Sequence, residues 1–83
     1  MPILVFGMSG VPAHRRAGLE AVIEAAGRHV RGAHEAWVVW ARGHNRFSIR
    51  ITGPDGFFRQ EEFDCHQTDA EVGDEIRQAL LTS

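Results

Sequence analysis

The chain has 83 residues, with nine basic and eleven acidic side chains and a formal net charge of −2 at pH 7. This length leaves room for one domain, spanning 1–83, and this charge argues against binding nucleic acid through bulk positive charge. All nine basic residues are arginine, which indicates a GC-rich bacterial genome.

A single cysteine, Cys65, excludes an internal disulfide and favours a reducing compartment. The apolar run 2–8 lacks a preceding basic region and is too short to cross a bilayer. We therefore expect a cytoplasmic protein without a signal peptide or membrane association.

The first predicted element is a strand over 2–6, because its side chains are apolar on both faces and would suit a buried position. Residues 7–12 then interrupt the strand. Ser9 is a candidate cap for the helix that follows, and Pro12 would be tolerated in its first turn.

Helical spacing begins at Ala13. The apolar side chains that fall on one face are Leu19, Val22, Ile23, Ala26 and Val30. We predict that the helix ends near Arg31, with Gly32 as a left-handed cap, and Gly27 is the alternative end.

The next strand, 36–41, is apolar on both faces and is predicted to be central in the sheet. A turn over 42–45 leads to a strand in which apolar and polar residues alternate from Arg46. An even-length loop places Trp40 opposite Phe47 and Trp37 opposite Arg50. Trp40 should then face the core and Trp37 the opposite, open side.

A second hairpin is predicted from the turn residues Gly53-Pro54-Asp55-Gly56. A loop of Pro54, Asp55 and Gly56 places Phe47 opposite Phe63 and Arg46 opposite Asp64, where an ion pair would form. This register also puts Arg59 and Glu61 on the core side, which only an edge strand tolerates.

The last element is a helix that begins with Thr68-x-x-Glu71, the spacing of a capping box. Its predicted buried stripe is Val72, Ile76, Ala79 and Leu80, and its last residues, Thr82 and Ser83, should fray. The whole pattern predicts an α+β two-layer sandwich of order β-α-β-β-β-α. Its mixed sheet would contain an antiparallel meander and carry both helices on one face.

The uncovered sheet face is the predicted binding surface. Its members are Trp37, Val39, Arg46, Ser48, Arg50 and Phe58. Aromatic and arginine side chains together are typical of protein–protein contacts, so the expected partner is another protein or a second copy in a homodimer. The alternative is a solvent-exposed face without a binding role, on which Arg50 stacks over Trp37.

A second candidate site lies at the start of the first helix, where free backbone N–H groups and nearby arginines suit an anion. Its residues would be Ser9, Gly10, Arg15 and Arg16. The spacing matches neither a P-loop nor a dinucleotide-binding fingerprint, and the alternative is a plain strand-to-helix turn.

Cys65 and His66 do not make a convincing catalytic pair, because adjacent residues on an extended chain point to opposite sides. The five histidines show no zinc-type spacing. We predict no metal and no cofactor.

From Ala13 onward, the element order α-β-β-β-α is similar to that of a double-stranded RNA-binding domain. In that family the second helix begins with basic residues, whereas here it reads Thr68-Asp69-Ala70-Glu71. Acid at that position would repel phosphate, so the resemblance implies a topology and no nucleic-acid partner.

Met1-Pro2-Ile3, followed by a strand and a helix, resembles the opening of the tautomerase superfamily over the first third of the chain. That resemblance implies Pro2 as an acid/base after removal of Met1, with Arg15 or Arg16 binding substrate. The family's Gly-Arg-Ser/Thr opening is absent, since Gly10 is followed by Val11-Pro12. The main expectation is therefore a small non-enzymatic binding or assembly module, and the alternative is a tautomerase-like enzyme.

Overall fold

A computed structural model describes residues 3–28, 30–41, 43 and 45–81 of the chain. Six main elements follow in the predicted order β-α-β-β-β-α: β1 (Leu4–Phe6), α1 (Ala13–Ala26), β2 (Glu35–Trp40), β3 (Arg46–Thr52), β4 (Phe58–Asp64) and α2 (Asp69–Leu81). Short 3₁₀ turns occupy Met8–Gly10 and Pro54–Gly56.

The four strands form one mixed sheet in the spatial order β1-β2-β3-β4. β1 runs parallel to β2, while β2, β3 and β4 form the predicted antiparallel meander. Alternate residues of the central strands join apolar residues of both helices in one core, so the helices cover one face of the sheet. The α+β two-layer sandwich is confirmed.

Both predicted hairpin registers are confirmed. Trp40 pairs with Phe47 and Trp37 with Arg50 across β2 and β3, and Phe47 pairs with Phe63 across β3 and β4. Trp40 lies on the helix-covered face and stacks on Phe47 with ring centroids 4.8 Å apart. It is half-buried rather than enclosed, because it ends its strand at the rim of the core.

β1 is an edge strand, so the expectation that it would be buried is wrong. Helix α1 returns the chain so that β2 pairs directly with β1, and no other described strand lies beyond β1. Leu4 is 54% exposed, whereas Ile3, just before the strand, is buried. The second apolar face of this segment therefore contributes to the open side of the sheet.

Helix α1 ends at Ala26, so the predicted end near Arg31 is wrong and the Gly27 alternative is confirmed. A Cβ at Gly27 would lie 2.7 Å from Ile3 Cγ2, so the chain needs glycine where the helix end meets the segment before β1. Gly32 does have a positive φ of 86°, but in the loop before β2.

Ser9 does not cap α1, contrary to the prediction. It lies in the 3₁₀ turn, and the N-cap position belongs to Pro12, which makes no side-chain cap. Val11 is buried between them, which holds Ser9 away from the first helical turn.

The capping box of α2 is confirmed. The Thr68 N–H donates to Glu71 Oε1 at 2.9 Å, and the Glu71 N–H donates to Thr68 Oγ1 at 3.2 Å. The bond from the Thr68 N–H, and after it the bond that Thr68 Oγ1 donates to Glu71 Oε1 at 3.1 Å, hold the pKa of the Glu71 carboxyl below its ordinary value of 4.5. The predicted stripe of Val72, Ile76, Ala79 and Leu80 is buried.

The predicted Arg46–Asp64 ion pair is not formed, although the two residues are register partners. Arg46 Nη2 lies 3.8 Å from Glu62 Oε2 instead. Asp64 Oδ1 accepts a hydrogen bond from the His66 N–H at 2.8 Å, so this short side chain serves the turn after β4. Thr82 and Ser83, predicted to fray, lie outside the described residues.

Among the described helices, neither has the length and apolar composition needed to cross a bilayer.

Candidate functional site

The side of the sheet away from the helices is called the open face here. Its side chains belong to alternate residues of all four strands. They are Leu4 and Phe6 of β1, Glu35, Trp37 and Val39 of β2, Arg46, Ser48, Arg50 and Thr52 of β3, and Phe58, Gln60, Glu62 and Asp64 of β4. The structure thus brings together all six residues that the sequence analysis assigned to a binding surface.

Large apolar side chains are exposed on this face. Leu4 is 54%, Trp37 45%, Val39 49% and Phe58 53% exposed. The Phe6 ring stacks on Trp37, with centroids 4.5 Å apart and an interplanar angle of 18°. The apolar half of the open face lies over β1 and β2. It consists of Leu4, Phe6, Trp37 and Val39.

Sequence reasoning missed Leu4 and Phe6. Local patterns do not reveal which strand β1 pairs with, and only its parallel pairing with β2 puts Phe6 beside Trp37. The signal that could have found them was the apolar character of β1 on both faces, which suits an edge strand with a binding side as well as a buried strand.

The other half of the open face is charged. On β3, Arg50 Nε donates to Gln60 Oε1 at 3.2 Å, and Arg46 pairs loosely with Glu62. The side chains of that ion pair are 69% and 62% exposed, so water and salt screen it and it adds little stability. Phe6, rather than Arg50, stacks on Trp37. Arg46 and Arg50 therefore stay accessible to a partner.

The hydrogen bonds of β4 show which backbone groups reach its free edge. The Gly53 N–H donates to Phe57 O, and the Cys65 N–H donates to Asn45 O, at 3.1 and 2.8 Å. Because bonded and non-bonded pairs alternate in an antiparallel ladder, odd-numbered β4 residues bond to β3. The N–H and C=O groups of the even-numbered residues point outward.

Side chains of the same chain close both ends of this edge. Arg59 Nη1 donates to Phe58 O at 3.1 Å, and the Asp64 N–H donates to Gln67 Oε1 at 2.9 Å. This leaves Gln60 and Glu62 between two capped ends, a short template for another strand. On the opposite edge, β1 has only three residues.

The residues of the predicted anion site lie elsewhere, before and within the first turns of α1. Arg15 donates to Cys65 O at 2.8 Å, to Gln67 O at 3.2 Å and to Asp69 Oδ1 at 3.0 Å. Arg16 donates to Val11 O at 2.8 Å and to Ser9 O at 3.2 Å. Both guanidinium groups thus bind groups of the chain itself, and Gly10 lies in the adjacent 3₁₀ turn.

Cys65 is half-buried and packs against the edge of the core, whereas His66 is exposed. In the described part of the chain, no group of three or more His, Cys, Asp or Glu side chains is placed to hold a metal ion. Pro2, on which the tautomerase resemblance depends, lies outside the described residues, and the enzyme alternative stays a prediction.

A shallow groove of about 380 Å³ lies between β4 and α2. Its lining includes three carboxylates, those of Glu61, Asp74 and Glu75. This negative charge would suit a cationic ligand, and no other feature of the described residues indicates such a ligand.

No family model, curated protein or solved structure matches the chain.

Proposed function

We propose that the chain is a small non-enzymatic protein-binding or assembly module whose working surface is the open face. The observation that supports this most strongly is the exposure of Leu4, Trp37 and Val39 on one face of the sheet, where the Phe6 ring also stacks on Trp37. Clustered apolar surface of this kind on a small protein usually marks an interface.

The composition of the face supports a protein partner. Aromatic and arginine side chains are enriched in interface cores, and Trp and Arg are the residues that most often dominate binding energy. Trp37 lies at the centre of the apolar half, between Phe6 on β1 and Arg50 on β3.

The edges of the sheet support docking on the face rather than addition of a strand. A strand partner needs a row of free backbone groups. Capping by Arg59 and Gln67 shortens that row on β4, and the inward-pointing Arg59 and Glu61 further disfavour pairing there.

The proposal includes a cytoplasmic location in a bacterium. The free, half-buried Cys65 is compatible with a reducing compartment, and the basic complement consists of arginine alone.

The test is affinity capture from an extract of the source organism with wild type and two single variants. Val39→Glu puts a charge in the apolar half, while Leu81→Ala removes a comparably exposed apolar side chain from α2. We expect the same proteins to be retained by wild type and Leu81→Ala and lost by Val39→Glu.

Thermal melts of all three proteins show whether each is folded. Equal retention by Val39→Glu and wild type, with both folded, would contradict the proposal.

A further inference from the structure

We infer that the open face binds a second copy of this chain, face to face, about a two-fold axis parallel to the strands and midway between β2 and β3. The inference rests on the proposed function and names its partner. It follows from the strand registers and from the distribution of charge on the face.

The registers arrange the open face in rows across the sheet. One row contains Leu4, Glu35, Thr52 and Phe58, and the next contains Phe6, Trp37, Arg50 and Gln60. A two-fold axis parallel to the strands keeps each row in place and exchanges the strands. All four strands overlap only if the axis passes between β2 and β3, which sets β2 over β3 of the partner copy and β1 over its β4.

This arrangement matches side chains of suitable chemistry. Trp37 faces Arg50 of the partner copy, and symmetry repeats the contact, so the dimer gains two cation–π pairs. Arg50 can keep its bond to Gln60 within its own chain. Leu4 faces Phe58 of the partner copy, which joins the most exposed apolar residues of β1 and β4.

Charge disfavours a face-to-face two-fold axis perpendicular to the strands. That axis would set β3 over β3 of the partner copy. Arg46 and Arg50 of both copies would then lie close together along the two facing β3 strands. Like charges repel each other at an interface. The axis parallel to the strands keeps the β3 arginines of the two copies apart. It places Arg46 and Arg50 of each copy over β2 of the other.

The size of the face predicts a weak dimer. Four strands about 4.8 Å apart, with five residues of about 3.3 Å each, give a face of roughly 15 by 17 Å. Two such faces cover roughly 500 Å² in total, which is below the usual range of stable specific interfaces, so the pairing is transient. We therefore expect a dissociation constant in the micromolar range or weaker.

Sedimentation at several concentrations tests the self-association, with wild type, Arg50→Glu and Arg28→Glu compared. Arg28 is exposed directly after α1, away from the open face. Both variants replace arginine by glutamate, so their net charge changes by the same amount. We expect Arg50→Glu to weaken dimerisation by about tenfold or more and Arg28→Glu to leave it unchanged. A dimer that Arg50→Glu does not weaken would overturn the arrangement.

Cysteine pairs test the axis in a Cys65→Ser background. Val39 faces Ser48 of the partner copy across two sheets packed about 10 Å apart, which is too far for a disulfide. In a mixture of Val39→Cys and Ser48→Cys, a bismaleimide of about that span should therefore link chiefly one variant to the other. Predominant linkage within either single variant would overturn the axis.

A monomer at millimolar concentration would overturn the inference. The proposed function would still stand in that case if wild type retained host proteins that Val39→Glu lost. If those proteins were not lost either, both would fail.

Discussion

At the scale of single residues, Arg15 connects three parts of the chain. From α1 it donates hydrogen bonds to the carbonyls of Cys65 and Gln67 and to Asp69 at the start of α2. Its Cζ also lies 5.9 Å from the centroid of the Trp40 ring. The side chain is only 17% exposed, so these bonds are shielded from water. Arg15 thus fixes the loop between β4 and α2 against α1.

We predict that Arg15→Ala lowers the free energy of unfolding by about 2–3 kcal/mol, because charge-assisted bonds to two carbonyls and a carboxylate are lost. Arg16→Ala is the matched control, since Arg16 is exposed and binds only neighbouring carbonyls. It should cost less than about 1 kcal/mol. Urea melts measure both, and equal losses would show that the Arg15 contacts contribute nothing special.

Glu71 makes the stability of α2 depend on pH. Its carboxylate accepts the Thr68 N–H, which holds its pKa below the ordinary value of 4.5. The stabilisation is therefore present above the unfolded pKa and is lost as the pH falls through the lower, folded pKa.

Replacing Glu71 by Gln should consequently destabilise the protein at pH 7 and make little difference at an acidic pH where the wild-type carboxyl is itself protonated. Denaturant melts at both pH values measure this. Glu24→Gln, on the exposed side of α1, is the control. Its difference in stability from the wild type should be the same at both pH values. A Glu71→Gln effect of the same size at both pH values would rule out the carboxylate as its cause.

At the scale of elements, the junction after β1 depends on close backbone contact. Gly7 has a φ of 81°, and a Cβ there would run into the carbonyl oxygen of Val38 on β2. Gly10, in the following 3₁₀ turn, has open space where a Cβ would be.

Gly7→Ala should therefore destabilise the protein by about 2–3 kcal/mol, through the left-handed backbone and the clash together. Gly10→Ala should be nearly neutral. Thermal melts compare the two, and similar melting temperatures would mean that β1 can shift away from β2 without cost.

The elements that the sequence predicted well are those specified by neighbouring residues. Loop parity placed Trp40 and Trp37 on opposite faces, and Thr68 with Glu71 marked the start of α2. The end of α1 required more, because Gly27 terminates the helix where Ile3 approaches it, a contact between residues far apart in the chain.

The same limit applies to the candidate site. Trp37, Val39 and Arg50 could be assigned to the open face because the period of a strand fixes the face of each side chain. Phe6 could not, since its place beside Trp37 depends on which strand β1 pairs with. The partners of Arg15 were likewise hidden, because they come from the far end of the chain.

At the scale of the whole molecule, the two tryptophans mark the two sides of one sheet. Trp40 stacks on Phe47, which in turn stacks on Phe63, in the layer that the helices cover. Trp37 stacks on Phe6, on the side of the sheet opposite the two described helices. Their loss should therefore have different consequences, the first for folding and the second for association.

If the open face pairs two copies, mass action makes the melting temperature of the wild type rise with protein concentration, because the dimer stabilises the folded state. We predict that Trp37→Ala removes this dependence. Trp40→Ala should keep it while lowering the melting temperature by roughly 10 °C, since a half-buried ring worth about 2–3 kcal/mol is lost from a small domain. Calorimetry between about 10 μM and about 1 mM measures both effects. A melting temperature that stays constant for the wild type, with both variants lowered alike, would show that Trp37 serves the fold of one chain and not its pairing.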